Sequence, residues 1–322
     1  MSYKQQFPTV GNGYLNSGSS IDSDSYIKFL LKKLRASQPL NRIATSTIKA
    51  ILHATNSESE LMVKHLHRVG SVMSKLPNGS TLKLWSRADD WVSNQVYWRG
   101  WAGYEPETVP LFFRLASRSR VTLDIGAYVG FFSLLAAHAN SDAQVYAFEP
   151  LIDVRERLQN NLDLNGLSNV QVIGCAVGGF DGITEFFSTK THLPCSSSLS
   201  YDFMQSAERV YSIPVSVITV DRFVSENNLP SVDLVKIDTE STEPDVLLGM
   251  TETITRDQPS IICEVLKDRG SERRLEEVLR PVGYNFYLLT PTGPEQRDHI
   301  AGHPDCLNYL FTSLTQDEVS RL

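Results

Sequence analysis

The chain has 322 residues, 41% hydrophobic and 21% charged, which is enough apolar material for a sizeable core and argues against global disorder. Its 37 acidic residues outnumber its 30 basic residues, and the net charge of −7 disfavours a surface built to bind nucleic acid or an anionic membrane. No apolar run is long enough to span a bilayer, and the N-terminus lacks the features of a signal peptide. The four cysteines form no C-x-x-C pair, which favours a reducing compartment. We therefore expect a soluble, cytoplasmic protein.

The N-terminal part of the chain is predicted to contain helices. Apolar residues at three- and four-residue intervals predict helices over Ile21–Leu34 and Ser46–Met73, and the turn residues Pro77-Asn78-Gly79 then break the chain. The pattern from Thr81 to Trp101 is typical of β structure. We predict a flexible tail, a helical N-terminal extension and a main domain, over residues 1–20, 21–80 and 81–322 respectively.

Short strand-like runs alternate with helix-length segments from Val121 onward. In chain order the runs are VTLDI, QVYAFE, VQVIGCAV, VDLVKID and SIICEVL. This alternation predicts an α/β fold with a mostly parallel, Rossmann-like sheet and helices on both faces. The stretch from Ile183 to Val220 interrupts the series with two further β-like pieces around the loop CSSSLS. The runs YNFYLL and LNYLFTS predict an antiparallel hairpin at the C-terminal end.

A glycine turn closes the first run of this series and opens the helix FFSLLAAHA. The turn contains Asp124, Gly126, Ala127, Tyr128 and Gly130. Gly126 allows the backbone to turn sharply and to approach a ligand closely, because glycine has no Cβ. Gly130 allows close packing of the helix that follows. The helix N-terminus offers unpaired N–H groups to a carboxylate or phosphate.

An acid at the end of the second run, Glu149, completes a pattern that points to a nucleoside cofactor. It is placed to accept hydrogen bonds from both hydroxyls of a ribose. The turn has G-x-x-x-G rather than G-x-G-x-x-G, and the chain has no phosphate-binding G-x-x-x-x-G-K-[ST]. A nucleoside without phosphates fits better, with an amino-acid end in the turn. These features indicate S-adenosylmethionine.

A resemblance to a known family is carried by the segments VTLDIGAYVGFFSLLA, VYAFEP, LQNNLDLNGLSNV, DLVKIDTESTEPDVLLGM and IICEV, and also by WRGWAGYEPE ahead of the first strand. Together these segments resemble the FkbM family of S-adenosylmethionine-dependent methyltransferases. It covers roughly Gly103 to Val265. The resemblance implies a seven-stranded class I methyltransferase fold, one bound S-adenosylmethionine, and usually O-methylation of a hydroxyl on a sugar or natural product.

The resemblance also bears on individual residues. It places Glu105 just before the first strand, where an acid could meet the ammonium group of the cofactor. We further expect Ala176, in VQVIGCAV, and Asp238 to contact the cofactor. One position departs from the family pattern KID-x-E-G-x-E, because Ser241 stands where glycine is usual. If that position needs a positive φ, serine adopts it only at a cost.

The carboxyl ends of the strands are expected to form the active edge. Asp238 and Glu264 each end a predicted strand, and Lys236 shares a strand face with Asp238. Methyl transfer to a hydroxyl needs alignment of the reacting atoms and a base for the proton. Asp238 is our first candidate for that base, followed by Lys236, Glu264 and His192. An ion pair that holds strand ends together is the favoured role for Lys236.

Three alternatives to this account stay open. The carboxylates of Asp238, Glu240, Glu243 and Glu264 could bind magnesium, although we favour a site without metal. A nucleic-acid methyltransferase on the same fold is disfavoured by the net charge and by the absence of an N-P-P-Y-type tetrapeptide after the fourth strand. A non-catalytic cofactor-binding scaffold protein remains the third alternative. We expect a small-molecule or saccharide acceptor with a free hydroxyl, and neither nucleic acid nor membrane as partner.

Overall fold

The computed structural model describes residues 37–55, 57, 60–189, 193, 197–204 and 210–322. The strands are β1 (Val69–Lys75), β2 (Thr81–Arg87), β3 (Val121–Ile125), β4 (Gln144–Phe148), β5 (Val170–Ile173), β6 (Ala176–Val177), β7 (Gly182–Thr189), β8 (Val210–Ile218), β9 (Leu234–Ile237), β10 (Ser260–Glu264), β11 (Asn285–Thr290), β12 (Gly293–Arg297) and β13 (Asn308–Thr312). The α-helices are α1 (Gln38–Ala54), α2 (Glu60–His65), α3 (Trp91–Arg99), α4 (Val109–Ala116), α5 (Phe131–Ala139), α6 (Ile152–Asn165), α7 (Tyr201–Met204), α8 (Val220–Glu226), α9 (Glu243–Leu248), α10 (Thr251–Asp257), α11 (Glu272–Leu279) and α12 (Gln316–Ser320).

The central sheet has eight strands in the order β12-β11-β13-β10-β9-β3-β4-β5. The five strands from β10 to β5 pair in parallel, whereas β13 runs antiparallel to β10 and β11. The predicted α/β class, the mostly parallel sheet and the C-terminal antiparallel hairpin are therefore confirmed. Strand β12 lies in the connection of that hairpin and adds an edge strand to the seven that the family resemblance implied.

The strand order reverses beside β3, and this reversal fixes where a ligand can bind. From β3 the chain proceeds outward through β4 and β5 on one side, and it later returns to β9 and β10 on the other. The connections that leave β3 and β9 therefore diverge at the carboxyl edge of the sheet and leave a crevice. All five residues of β3 are buried, because helices cover both faces of the sheet. Helices α4, α5 and α6 pack on one face, and α8, α9, α10 and α11 pack on the other.

The segment before β3 differs from its predicted secondary structure. The helix predicted over Ser46–Met73 is wrong in its last part, because Val69–Lys75 is a strand that pairs antiparallel with Thr81–Arg87 across the predicted turn. Val72 and Leu84 face each other in this hairpin and are both fully buried. The burial of alternate residues favours a strand over a helix in this segment. The hairpin crosses the predicted boundary at residue 80, and residues 1–36, with the predicted tail and first helix, lie outside the described part of the chain.

The β structure predicted from Thr81 to Trp101 ends at Arg87, and a helix follows it. Asp90 begins helix α3 as its N-cap, and its carboxylate accepts a hydrogen bond of 2.6 Å from the backbone N–H of Ser93. Gly100, with φ of 87°, ends the helix. Valine, tryptophan and tyrosine favour strands, but the cap and the glycine stop select a helix for this segment.

The two β-like pieces predicted between Ile183 and Val220 are present as β7 and β8. They pair antiparallel, and β6 joins β8 to complete a separate three-stranded sheet. Ser198, in the serine-rich loop, makes an isolated bridge to Phe187 of β7. This small sheet stands beside the carboxyl edge of the central sheet. No helix in the described ranges has the length and apolarity needed to cross a bilayer.

Candidate functional site

A cavity opens at the carboxyl edge of the central sheet, at the crevice that the topology creates. Residues after β3, β4 and β9, the end of β10, the start of α3 and the three-stranded sheet all contribute to its wall. The lining residues are Trp91, Val92, Tyr104, Ile125, Gly126, Tyr128, Phe148, Glu149, Pro150, Leu151, Cys175, Ala176, Val177, Phe186, Ser197, Leu199, Asp238, Thr239, Glu240, Thr242 and Glu264. Among the predicted site residues, Gly126, Tyr128, Glu149, Ala176, Asp238 and Glu264 are therefore brought together.

The glycine turn after β3 is held against the loop that follows β9. Gly126 has φ of 82°, and a Cβ at this residue would lie 1.9 Å from the carbonyl oxygen of Asp238. The nearest described atoms belong to the backbone of Asp238, so the absence of a side chain at Gly126 allows the two loops to come into contact at the cavity. The approach of a ligand to Gly126 stays a prediction.

Three other predicted residues of the turn, Asp124, Ala127 and Gly130, do not line the cavity and instead make contacts that hold the turn in place. Asp124 is buried and accepts a hydrogen bond of 2.5 Å from the hydroxyl of Ser133 at the start of α5, and burial raises its pKa to about 6. The N–H of Ala127 donates to the carbonyl oxygen of Phe148, at 3.0 Å. A Cβ on Gly130 would lie 2.8 Å from the side chain of Leu158 in α6, so glycine is needed there for helix packing.

Glu149 follows β4 and is buried at the cavity wall. Its two carboxylate oxygens accept hydrogen bonds from the backbone N–H groups of Leu151, at 2.9 Å, and Tyr128, at 3.2 Å. Burial raises the pKa of Glu149 to about 7, and the two N–H donors oppose this rise. The carboxylate is thus fixed in position between the glycine turn and α6, and each oxygen retains lone pairs for a further donor.

Lys236, in β9, is the centre of a chain of hydrogen bonds that includes Asp238 at the cavity. Its fully buried Nζ donates to the carboxylate of Asp238, at 3.1 Å, and to the side-chain oxygen of Asn308, at 3.4 Å. Asn308 donates in turn to Glu105, at 3.0 Å. Glu105, which is predicted to meet an ammonium group of the cofactor, is joined through Asn308 to the ammonium group of Lys236. The neighbouring Tyr104 lines the cavity.

The charge state of Lys236 follows from its neighbours. Burial lowers the pKa of Lys236, but the carboxylates of Asp238, Glu105 and Glu264 outweigh this effect and raise the pKa above its ordinary value. The side chain is therefore a persistent cation. This favours the ion-pair role that the sequence suggested for Lys236, because a protonated amine cannot accept a further proton.

Glu264, at the end of β10, lies among several other acidic residues. Burial raises its pKa well above the ordinary value, and the carboxylates of Asp238, Glu240 and Glu243 raise it further. Its Oε2 is buried and has no hydrogen-bond partner among the described residues. A buried acceptor without a donor is uncommon in folded proteins and points to a ligand contact.

The loop between β9 and α9 has an unusual backbone. Glu240 and Ser241 are consecutive residues with positive φ, 56° and 82°. Ser241 thus stands in the conformation that explains why the family pattern has glycine at this position. The buried carboxylate of Glu243 holds the loop, since one of its oxygens accepts from the N–H of Ser241, at 3.0 Å, and from the N–H and hydroxyl of Thr239, both at 3.2 Å.

The serine-rich loop contacts the same strained segment. The hydroxyl of Ser198 donates to the carbonyl oxygen of Glu240, at 2.7 Å, and Ser197 and Leu199 line the cavity. His192, the remaining catalytic candidate, lies outside the described residues. The cavity is also bordered by Trp91, Cys175 and Phe186, which were not predicted as site residues because they come from elements that are distant in the chain.

The magnesium alternative finds no support in the described side chains. Within those ranges, no group of three or more His, Cys, Asp or Glu residues is arranged to hold a metal ion. Glu243, one of the four carboxylates considered, is directed at the backbone of its own loop.

Comparison with known proteins places the chain in a family. The profile of the Methyltransferase FkbM domain matches residues 124–286. Methyltransferase 1 of Beauveria bassiana is 24% identical over 183 residues, which cover 52% of this chain and 74% of that protein. The hexuronic acid methyltransferase AglP of Haloferax volcanii is 25% identical over 150 residues, 47% of this chain and 58% of that protein. A solved structure of methyltransferase FkbM from Methylobacillus flagellatus covers 90% of this chain, and 77% of that chain, at 16% identity and a TM-score of 0.41. The family profile covers half of the sequence, and the chain belongs to the FkbM family of methyltransferases.

Proposed function

We propose that this methyltransferase uses S-adenosylmethionine to methylate a hydroxyl group of a saccharide or natural product. The observation that carries the proposal is the arrangement of the cavity. Glu149 and the Gly126 turn, which follow β4 and β3, form what we call the first wall, and the acidic residues Asp238 and Glu264, at the ends of β9 and β10, form the second wall. Groups that suit a nucleoside thus lie beside groups that can accept a proton.

The lining of the first wall fits the chemical groups of S-adenosylmethionine. The carboxylate of Glu149 is fixed by two backbone donors and suits the two hydroxyls of a ribose. The apolar side chains of Leu151, Cys175 and Val177 line the cavity beside it and suit a purine ring. The turn at Gly126 and Tyr128 would hold the amino-acid end. The cofactor supplies an electrophilic methyl group, and these residues bind and orient it.

The second wall provides the groups that O-methylation requires. A hydroxyl is a weak nucleophile until its proton is removed, and a carboxylate within hydrogen-bond reach can accept that proton. Three acids line this side of the cavity, Asp238, Glu240 and Glu264, and we take Asp238 and Glu264 as the candidates for this role. The choice of a saccharide acceptor is supported by one of the relatives, whose name gives a hexuronic acid as its substrate.

The experiment is methyl transfer from S-adenosylmethionine that carries a deuterated methyl group. The protein is incubated with hydroxylated saccharides, hydroxylated natural products, an amine series and RNA, and products are analysed by mass spectrometry. Transfer to oxygen of a small acceptor supports the proposal. Transfer to RNA or only to nitrogen contradicts it, and binding of the cofactor without any transfer favours a scaffold role.

A further inference from the structure

We propose that Glu264 is the catalytic residue that accepts the proton of the acceptor hydroxyl, and that Asp238 is a positioning residue held by Lys236. This inference rests on the proposed function and assigns separate roles to the two acids of the second wall. The sequence analysis gave Asp238 as the first candidate for the base. The contacts around the two carboxyl groups favour Glu264 for this role.

Asp238 already has a charged partner. The buried ammonium group of Lys236 donates to its Oδ2 at 3.1 Å, and 26% of the Asp238 side chain is exposed. Its backbone N–H donates to the carbonyl oxygen of Ile125, at 3.0 Å. A carboxylate that is paired with a permanent cation and fixed by the neighbouring strand is suited to holding a substrate group in place.

Glu264 has the complementary properties. It lines the cavity, and its buried Oε2 accepts no hydrogen bond from any described residue. The desolvation of such an atom is costly unless a donor is supplied. An acceptor hydroxyl bound in the cavity would provide this donor and would then place its proton within reach of the carboxylate.

The surrounding charges favour a proton on Glu264. Burial and the nearby carboxylates raise its pKa, while Lys236 opposes the rise. The titratable groups that face it come from each neighbouring element: Lys236 and Asp238 at the end of β9, Glu240 and Glu243 in the loop and α9, Tyr104 before α4, and Cys263 of β10. A base in such surroundings holds a proton firmly once it has accepted it.

Glu264 takes up the proton of the acceptor hydroxyl while the acceptor oxygen is methylated. The O–H bond of the acceptor breaks, and its proton moves to Oε2 of Glu264. The acceptor oxygen uses the freed electron pair to form a bond to the methyl carbon, and the pair of the carbon–sulfur bond remains on sulfur, which becomes a neutral thioether. Lys236 keeps its charge throughout and remains hydrogen-bonded to Asp238.

The test compares Glu264→Gln with Asp238→Asn in the full chain, and Glu252→Gln, at an exposed glutamate of α10, is the matched control. For each variant we measure the affinity for S-adenosylmethionine by calorimetry, the rate of a single turnover, and the pH dependence of that rate. Glu264→Gln should bind the cofactor as the wild type does and react about 10²–10⁴-fold more slowly. Glu264→Asp should recover part of the rate.

The pH profile distinguishes the two acids. A carboxyl accepts a proton only when ionised, so the wild-type rate should rise with pH through the raised pKa of Glu264. Asp238→Asn removes a charge that raises this pKa, so its profile should keep the rise and shift it to lower pH. In Glu264→Gln the rise should disappear.

Two results would overturn the inference. One is a Glu264→Gln variant with the wild-type rate and pH profile. The other is loss of the pH-dependent rise in Asp238→Asn alone, which would identify Asp238 as the base. A wild-type protein that binds the cofactor and methylates no acceptor oxygen would instead overturn the proposed function, and the inference with it.

Discussion

The carbonyl oxygen of Asp238 lies 1.9 Å from the point that a Cβ on Gly126 would occupy. The loops after β3 and β9 are therefore in direct backbone contact, and the N–H of Asp238 also donates to the carbonyl oxygen of Ile125, at 3.0 Å. The loop after β3 carries the turn that we propose for the cofactor, and the loop after β9 carries Asp238, which we propose to lie beside the acceptor. A change in this contact is expected to shift the two loops relative to each other.

Replacing Gly126 with alanine should disrupt this contact. The new Cβ would overlap backbone atoms, which cannot rotate away, and the φ of 82° is itself unfavourable for alanine. We expect a loss of at least about 3 kcal/mol in the free energy of unfolding, more than the strained φ alone would cost. Urea denaturation measures the effect.

Gly166→Ala is the matched control. Gly166 also has a positive φ, of 67°, but no atom lies within 4 Å of its Cβ position. This variant should lose only about 1 kcal/mol. Equal losses in the two variants would mean that backbone strain, rather than the contact with Asp238, requires glycine at residue 126.

Replacing Ser241 with glycine should stabilise the protein. Ser241 has φ of 82°, and its buried hydroxyl has no hydrogen-bond partner among the described residues. Glycine removes both costs, and the greater entropy of its unfolded chain offsets part of the gain, so we expect about 1 kcal/mol. Thermal and urea unfolding give the value. Asn228→Gly, at an exposed residue with φ of 50°, is the control and should change the free energy of unfolding less. A Ser241→Gly variant that is less stable than the wild type would contradict the view that the backbone is strained at Ser241.

Replacing Lys236 with methionine should destabilise the protein in a pH-dependent way. Loss of the buried cation leaves Asp238, Glu105 and Glu264 without compensation, at a cost of about 3–5 kcal/mol near pH 8. Burial raises the pKa of Glu105 and Glu264, and Lys236 opposes this rise, so the variant should have higher values in the folded state.

The sign of this pH dependence follows from proton linkage. An acid whose folded pKa is raised binds more protons when folded, so stability falls as pH increases through that pKa. The deficit of Lys236→Met should therefore be smaller at about pH 5 than at about pH 8. Lys267→Met, at an exposed lysine, is the control. A deficit that does not vary with pH would mean that packing, and not charge, is what Lys236 contributes.

Cofactor affinity should depend on the ionisation of Glu149. Its pKa is raised to about 7 by burial, and the ionised form is the stronger acceptor for hydroxyl donors. Affinity for S-adenosylmethionine should therefore increase as the pH rises from about 6 to about 8. Calorimetric titrations across this range test the expectation. Glu149→Gln cannot ionise and should bind weakly at every pH, whereas a wild-type affinity that is constant across the range would contradict the assignment.

The parts of the fold that the sequence predicted are those with continuous apolar runs. Strand β3 is buried on both faces, so VTLDI stands out between polar segments. Strand β12 was not predicted, because its residues, GPEQR, are largely exposed at the edge of the sheet and have no apolar pattern. Helix α3 was predicted as β structure, because its side chains favour strands and the decisive signals were the cap at Asp90 and the stop at Gly100.

In the candidate site, the residues at strand ends could be predicted from the sequence, whereas the contacts between distant residues could not. Glu149, Asp238 and Glu264 were predicted correctly as strand-end residues at one edge, because parallel strands bring their carboxyl ends together. The pairing of Glu105 with Asn308 joins residues at opposite ends of the main domain, and no local pattern encodes it. The orphaned oxygen of Glu264 likewise depends on burial by several elements, which only the three-dimensional structure defines.

Binding of S-adenosylmethionine in this cavity is tested by a calorimetric titration of the cofactor into the wild-type protein and into Glu149→Ala. Glu156→Ala, at an exposed glutamate of α6, serves as the control. The wild type and the control should bind one equivalent with equal affinity, and Glu149→Ala should bind about 10- to 100-fold more weakly, the loss expected for hydrogen bonds to a charged acceptor. Equal affinity in Glu149→Ala with an intact fold, or no binding by the wild type, would contradict the assignment of this cavity as the cofactor site.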